Sequence, residues 1–170
     1  MNAMRKTAVL AVLLALVGGL YASTADAGGR YRTIDAKLNH QTPRWAQLQS
    51  NGHPVGCGPT AWAIVYGYWK QHKGKTRLLE GVNGANDPDL LAAMKEISRY
   101  TKSTYGVHQG KKWGRTTPRN MCRGKKYAEK RGYRVSCERI RGTEFNKFDR
   151  VKAWIRADKP VIILINNPSH

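Results

Sequence analysis

Long apolar runs, cysteine and acidic residues are all scarce in this chain. No window reaches the roughly 18–20 apolar residues of a membrane-spanning helix, and the run Ala8–Leu20 stops at 13. Three cysteines in 170 residues exclude a disulfide-dense mini-protein. Internal repeats and low-complexity tracts are missing, which excludes a solenoid or a fibre. No CxxC, HxxxH or other paired Cys/His spacing occurs, so no metal site and no cofactor is expected. Asp and Glu number 11 against 30 Lys and Arg, for a formal net charge of +19. What is present suffices for a core. Hydrophobic residues make up 41%, too many for a disordered tail, and the length suits one domain.

The first residues read as an export signal rather than as fold. Arg5 and Lys6 precede the apolar run, and Ala25-Asp26-Ala27 offers small residues at both positions a signal peptidase reads. Residues 1–27 are therefore expected to be a signal peptide, and the mature chain to be secreted or periplasmic. Cleavage after Ala27 removes two bases and one acid, leaving 143 residues with a formal charge of +18. An oxidising compartment lets two thiols pair and leaves an odd one. Cys57 lies in a setting that suits a reactive thiol. Cys122 and Cys137 then remain, either as a disulfide or as two buried free thiols. A bridge between them closes a loop of about 15 residues, stabilising by about 3 kcal/mol if the unfolded chain loses the corresponding entropy.

Residues 28–44 show no clear period and read as an exposed leader before a domain over 45–170. Asn51-Gly52-His53-Pro54 is a turn signal. Cys57-Gly58-Pro59-Thr60 opens an apolar segment in which Ala61, Ile64, Val65 and Tyr68 recur at helical steps, with Trp62 and Trp69 flanking. Asp87-Pro88 starts a second helix, with Leu90, Leu91, Met94, Ile97 and Thr101 facing inward. Thr117-Pro118 starts a third, expected to run to Gly132. Tyr133 to Ile140 alternates like a strand, with Tyr133, Val135 and Cys137 on one side. Phe145, Phe148, Val151 and Ile155 mark a fourth helix, with Thr143 as its cap. Val161 to Ile165 is a β-branched run of the kind buried on both faces of a sheet. Helices first and strands late predict an α+β fold, with a helical N-terminal half packed on an incomplete β-sheet.

The chemistry gathers at Cys57. It stands immediately before the first turn of a helix, where unpaired N–H groups and about half a positive charge favour a thiolate over a thiol. Gly56 and Gly58 let the backbone turn tightly and leave the sulfur accessible, as a nucleophile requires. The same spacing fits a small buried residue that opens a core helix.

The residues themselves narrow the choice. Val55-Gly56-Cys57-Gly58-Pro59-Thr60-Ala61-Trp62-Ala63 resembles the nucleophile segment of papain-like cysteine peptidases, closest to the bacteriocin-processing (double-glycine) peptidase family and its relatives. Trp45-Ala46-Gln47 resembles the Trp-x-Gln of streptopain-type peptidases. Lys159-Pro160-Val161-Ile162-Ile163-Leu164-Ile165, followed by His170, is similar to the strand and catalytic histidine of the same group. The resemblance implies a papain-like fold and a thiolate–imidazolium pair of Cys57 and His170. It also implies a side-chain amide beside the oxyanion, for which Gln47 is the candidate and Gln49 and Asn51 are competitors. The family pattern places an Asp or Asn after the histidine. None follows His170, so the domain is expected to be truncated at its C-terminus, either inactive as it stands or the front part of a longer protein.

The other histidines are weaker candidates. His53 is near Cys57 in sequence but sits in a turn, and His40, His72 and His108 read as surface residues. Between Lys102 and Arg134, basic residues cluster against Glu129 alone, with Tyr105, Trp113 and Tyr127 interleaved. No nucleic-acid motif accompanies them, and an export signal argues against a cytoplasmic target, so nucleic acid is not expected. The partners expected are a peptide or protein substrate and an anionic envelope surface. Two alternatives to a peptidase remain: a non-catalytic cationic exported binding protein, and a thiol amidase or transferase acting on a non-protein amide.

Overall fold

The structure is a computed structural model and describes residues 37–140 and 148–163. Two short strands, β1 (Gln49–Ser50) and β2 (His53–Pro54), form a tight hairpin. Its turn is Asn51-Gly52, with φ of 52° and 72°. Paired positive φ values are what a two-residue hairpin turn demands, and Asn-Gly meets that demand with little strain. Helix α1 (Cys57–Lys73) follows and is apolar on most of its circumference, so it sits at the centre of the core. Its buried residues include Trp62, Ala63, Tyr66 and Tyr68, while Ala61 and Ile64 are only half-buried. The inner face thus turns on the large aromatics, and Trp62, expected to flank it, belongs to it.

Helix α2 (Pro88–Thr101) begins as its sequence requires. The Asp87 side chain caps it by accepting from the Asp89 N–H at 2.9 Å, and Pro88 occupies the first helical position. Leu90, Met94, Ile97 and Thr101 are buried and Leu91 is half-buried, so the expected face is the face used.

A second hairpin then forms from β3 (Thr104–His108) and β4 (Lys111–Arg115), with Gln109 and Gly110 in its turn at φ 48° and 74°. The third helix does not run unbroken to Gly132. It divides into α3 (Pro118–Met121), a 3-10 turn over Cys122–Lys125, and α4 (Lys126–Lys130). The reason lies in α1. The Trp62 indole N–H donates to the Met121 carbonyl and the Tyr66 hydroxyl to the Gly124 carbonyl, each at 2.8 Å. Those carbonyls are drawn toward α1 and away from the regular helical ladder. Gly132 does terminate α4, with φ 81° and its N–H on the Glu129 carbonyl.

The expected strand over Tyr133–Ile140 carries no ladder. Tyr133, Val135 and Cys137 nevertheless pack on the core while Arg134, Ser136 and Glu138 are exposed. The alternation is real, but no partner strand lies beside it among the described residues. Cys137 bonds to Cys122 in a disulfide with Cα atoms 5.5 Å apart, which ties this segment to the 3-10 turn.

The fourth helix is described as α5 (Phe148–Arg156), with Phe148, Val151 and Ile155 half-buried. Phe145 and Thr143 lie outside the described residues. Val161–Ile163 forms no strand, and Ile163 is 68% exposed, so burial on both faces does not hold there. With no strand beside them among the described residues, these residues cover only part of their apolar surface. Leu164 and Ile165 lie outside the described residues.

Residues 37–45 run across the middle and far end of α1. Pro43 and the Trp45 ring fill the space that a side chain at Gly67 would need. His40 stacks on His72, with ring centroids 4.3 Å apart. The Asn39 N–H donates to the buried Asp158 carboxylate at 2.8 Å, which also accepts from the Tyr68 hydroxyl and the Lys73 ammonium. Those donors hold the Asp158 carboxyl well below the usual carboxylate range, Lys73 first and Tyr68 next. Burial, helped by the Asp158 charge, pushes the Tyr68 phenol up to about 12.

Candidate active site

The site is built on the start of α1. Gly56 precedes it with φ 103°, a conformation that L side chains rarely adopt and glycine reaches freely. Cys57 is the first residue of the helix, its side chain exposed and its thiol free. No side chain caps the helix and its first turn contains no acid, so no fixed anion competes for the N-terminal dipoles. The Gly56 carbonyl accepts from both the Thr60 N–H at 3.3 Å and the Thr60 hydroxyl at 2.9 Å, which fixes the entrance turn.

The second hairpin braces this turn from one side. Strand β4 runs alongside residues 52–58. Lys112 Nζ approaches Gly52, the Gly114 backbone rests against the Pro54 carbonyl and Gly56, and Thr116 fills the space above Gly58. A chain of hydroxyls supports the contact. Thr116 bonds Ser103 at 2.6 Å, Ser103 bonds Thr101 at 2.9 Å, and Thr101 donates to the Ile97 carbonyl at 3.1 Å in the last turn of α2. The Tyr105 hydroxyl bonds Ser98 and reaches the Val55 carbonyl at 3.5 Å. The position of Cys57 is therefore inherited from α2 through β3 and β4. Thr101 is legible in the sequence as an inward-facing residue and Tyr105 as an interleaved aromatic one, but the bracing role of Ser103, Gly114 and Thr116 is not. The Gln109-Gly110 turn between aromatic and β-branched residues is the sequence signal for this hairpin.

The amide candidates separate by position. In the β1–β2 register Gln49 pairs with Pro54, and the Val55 N–H bonds the Leu48 carbonyl at 2.9 Å. One step further along that register brings Gln47 opposite Gly56, the residue before the thiol, and Gln47 is exposed. Gln49 lies in β1, opposite Pro54 and farther from the thiol. Asn51 serves the turn itself.

The histidines separate too. His170 lies outside the described residues. His72 is fifteen residues along α1 from Cys57, a distance of about 22 Å at the helical rise. His40 is stacked on it at that end. His53, in β2, is half-buried, and its Nδ1 has no hydrogen-bond partner among the described residues. His108 lies in β3. Among the described residues no three His, Cys, Asp or Glu side chains gather as a metal set, and no helix is long and apolar enough to cross a membrane.

The described arrangement is an exposed, free thiol at the head of an uncapped helix on a small α+β framework. The chain belongs to the Peptidase_C39 like family, whose family model matches residues 37–170. That membership gives a papain-like fold, a cysteine-type peptide hydrolase at the level of the family, and peptides as the substrate class. No curated protein and no solved structure matches the chain.

Proposed function

We propose that this chain is an exported cysteine peptidase in which Cys57 is the nucleophile, His170 its proton carrier and Gln47 an oxyanion donor. The Cys57 sulfur attacks the carbonyl carbon of a peptide bond, and the thiol proton resides on the His170 imidazole. The carbonyl oxygen takes up the electron pair and meets the Cys57 backbone N–H and the Gln47 side-chain amide. Collapse of the tetrahedral adduct expels the amine, which leaves with the proton from His170. Water, deprotonated by the same imidazole, then hydrolyses the thioester and releases the acid.

The observation that carries this reading is the exposed free thiol at the first residue of an uncapped, acid-free helix start. The Gln47 register supports the second donor. Export is supported by the layout of Arg5, Lys6, Ala8–Leu20 and Ala25-Asp26-Ala27, and by the bridge between Cys122 and Cys137.

The test is Cys57→Ala. The side chain is exposed, so the variant keeps the thermal midpoint of the parent while peptide hydrolysis falls to background. Unchanged turnover in Cys57→Ala moves the nucleophile elsewhere. Hydrolysis confined to non-peptide amides redirects the reading to an amidase or transferase.

A further inference from the structure

We propose that the outward face of the β3–β4 hairpin is a docking surface for an acidic segment of a peptide substrate. This rests on the peptidase reading above and names the chemistry of what that site receives.

The first observation is the distribution of charge. No Asp or Glu occurs between residues 36 and 79, nor between 97 and 128. Those two stretches supply β1, β2, α1, β3, β4, α3 and the last turn of α2, which build and brace the turn at Cys57. The acids lie elsewhere and several are already engaged. Glu96 pairs with Arg131 at 2.8 Å, Glu129 with Lys125 at 2.9 Å and Glu138 with Arg150 at 2.6 Å. Asp158 pairs with Lys73, and Asp87 caps α2. Lys111, Lys112 and Arg115 have no such partner among the described residues.

The second observation is the geometry of the hairpin. Lys112, Gly114 and Thr116 face the 52–58 segment. Side chains alternate along a strand, so Lys111, Trp113 and Arg115 share the opposite face, with Thr104 and Gly106 across from Arg115 and Trp113. Lys111, Trp113, Arg115 and Thr104 are exposed, and the Trp113 ring lies over Gly106. The stripe from Lys111 to Arg115 spans about 13 Å, the length of roughly four residues of extended peptide. Gly114 packs on Gly56 and Thr116 on Gly58, so the two neighbours of Arg115 in the chain touch the glycines on either side of Cys57. Two cations flanking an indole, on sequence stretches without Asp or Glu, complement carboxylates spaced along a peptide. A two-stranded hairpin offers no amphipathic helix for insertion into a lipid surface, which favours the peptide over the bilayer.

The experiment uses the full mature chain carrying Cys57→Ser, so that nothing is turned over. Anisotropy is measured with a fluorescein-labelled dodecapeptide of Glu, Gly and Ser, and with its Gln counterpart. Cosedimentation is measured with phosphatidylglycerol vesicles. The acidic peptide is expected to bind, and the Gln peptide to bind about tenfold more weakly. Lys111→Ser with Arg115→Ser is expected to weaken the acidic peptide about fivefold. Lys75→Ser with Lys95→Ser removes the same net charge from exposed positions away from the hairpin and is expected to cost less than about twofold. Arg115→Ser alone gives an intermediate loss and serves should the double variant fold poorly. Equal loss in the two double variants overturns the proposal, as does equal binding of the two peptides. A hairpin effect seen with vesicles and not with peptide also overturns it. Since the binding readout needs no thiol, failure here is distinct from failure of the catalytic reading, which Cys57→Ala hydrolysis reports.

Discussion

Thr116 occupies the space in which a side chain at Gly58 would have to stand, and so locks β4 against the turn that carries Cys57. Its hydroxyl and Cβ lie where an alanine methyl would be, with the Met121 sulfur close behind. Gly58→Ala is expected to destabilise the fold by about 1–3 kcal/mol, the usual range for overpacking a filled interior. Thr116→Ala in that background removes the nearest atom and should return part of the loss. Denaturant midpoints of the single and double variants check this, and a neutral Gly58→Ala contradicts the packing described.

The buried Asp158 predicts a dependence on acid. Its folded-state affinity for a proton is lowered by Lys73, Tyr68 and the Asn39 N–H, so the unfolded chain protonates first as pH falls through about 4. The stabilising contribution is fully present above that pH and is lost as pH falls through the lower folded value. Glu96, lowered chiefly by its bond to Arg131, adds in the same sense. Asp158→Asn keeps a residue that tolerates the φ of 59° found there and removes the titrating group. Chemical denaturation between pH 6 and 2 should show a steeper decline for the parent than for the variant. Parallel curves contradict the assignment.

Gln47 and Asn51 should behave as different kinds of residue. Gln47→Ala is expected to lower kcat by about 100-fold or more with little change in KM, as loss of one oxyanion donor does. Asn51→Gly, which suits a positive φ equally well, should leave turnover and stability near the parent. Turnover of a quenched-fluorescence peptide library checks both. A large loss in Asn51→Gly with none in Gln47→Ala reverses the assignment.

Local signals were legible in the sequence and long-range ones were not. The Asp87-Pro88 start of α2, the Asn51-Gly52 turn and the start of α1 at Cys57 are decided by a few adjacent residues, and each stands where its residues place it. The break between α3 and α4 depends on Trp62 and Tyr66, about sixty residues away, which no local pattern announces. The alternation of Tyr133, Val135 and Cys137 was correct as a burial pattern. It failed as a strand because a ladder needs a partner and the described residues supply none. Cys57 and its flanking glycines were legible as a site. The hydroxyls of Thr101, Ser103 and Thr116 that hold it were not, because their meaning appears only once two hairpins meet.

The most direct measurement is the rate of iodoacetamide alkylation of Cys57 at neutral pH, in the native chain and in the same chain unfolded in guanidinium with the Cys122–Cys137 bridge intact. If the start of α1 activates the thiol, the native chain labels about tenfold faster or more than the unfolded one. Labelling that is equal in the two states, or slower in the native one, contradicts the account, because an accessible sulfur would then gain nothing from the fold that presents it.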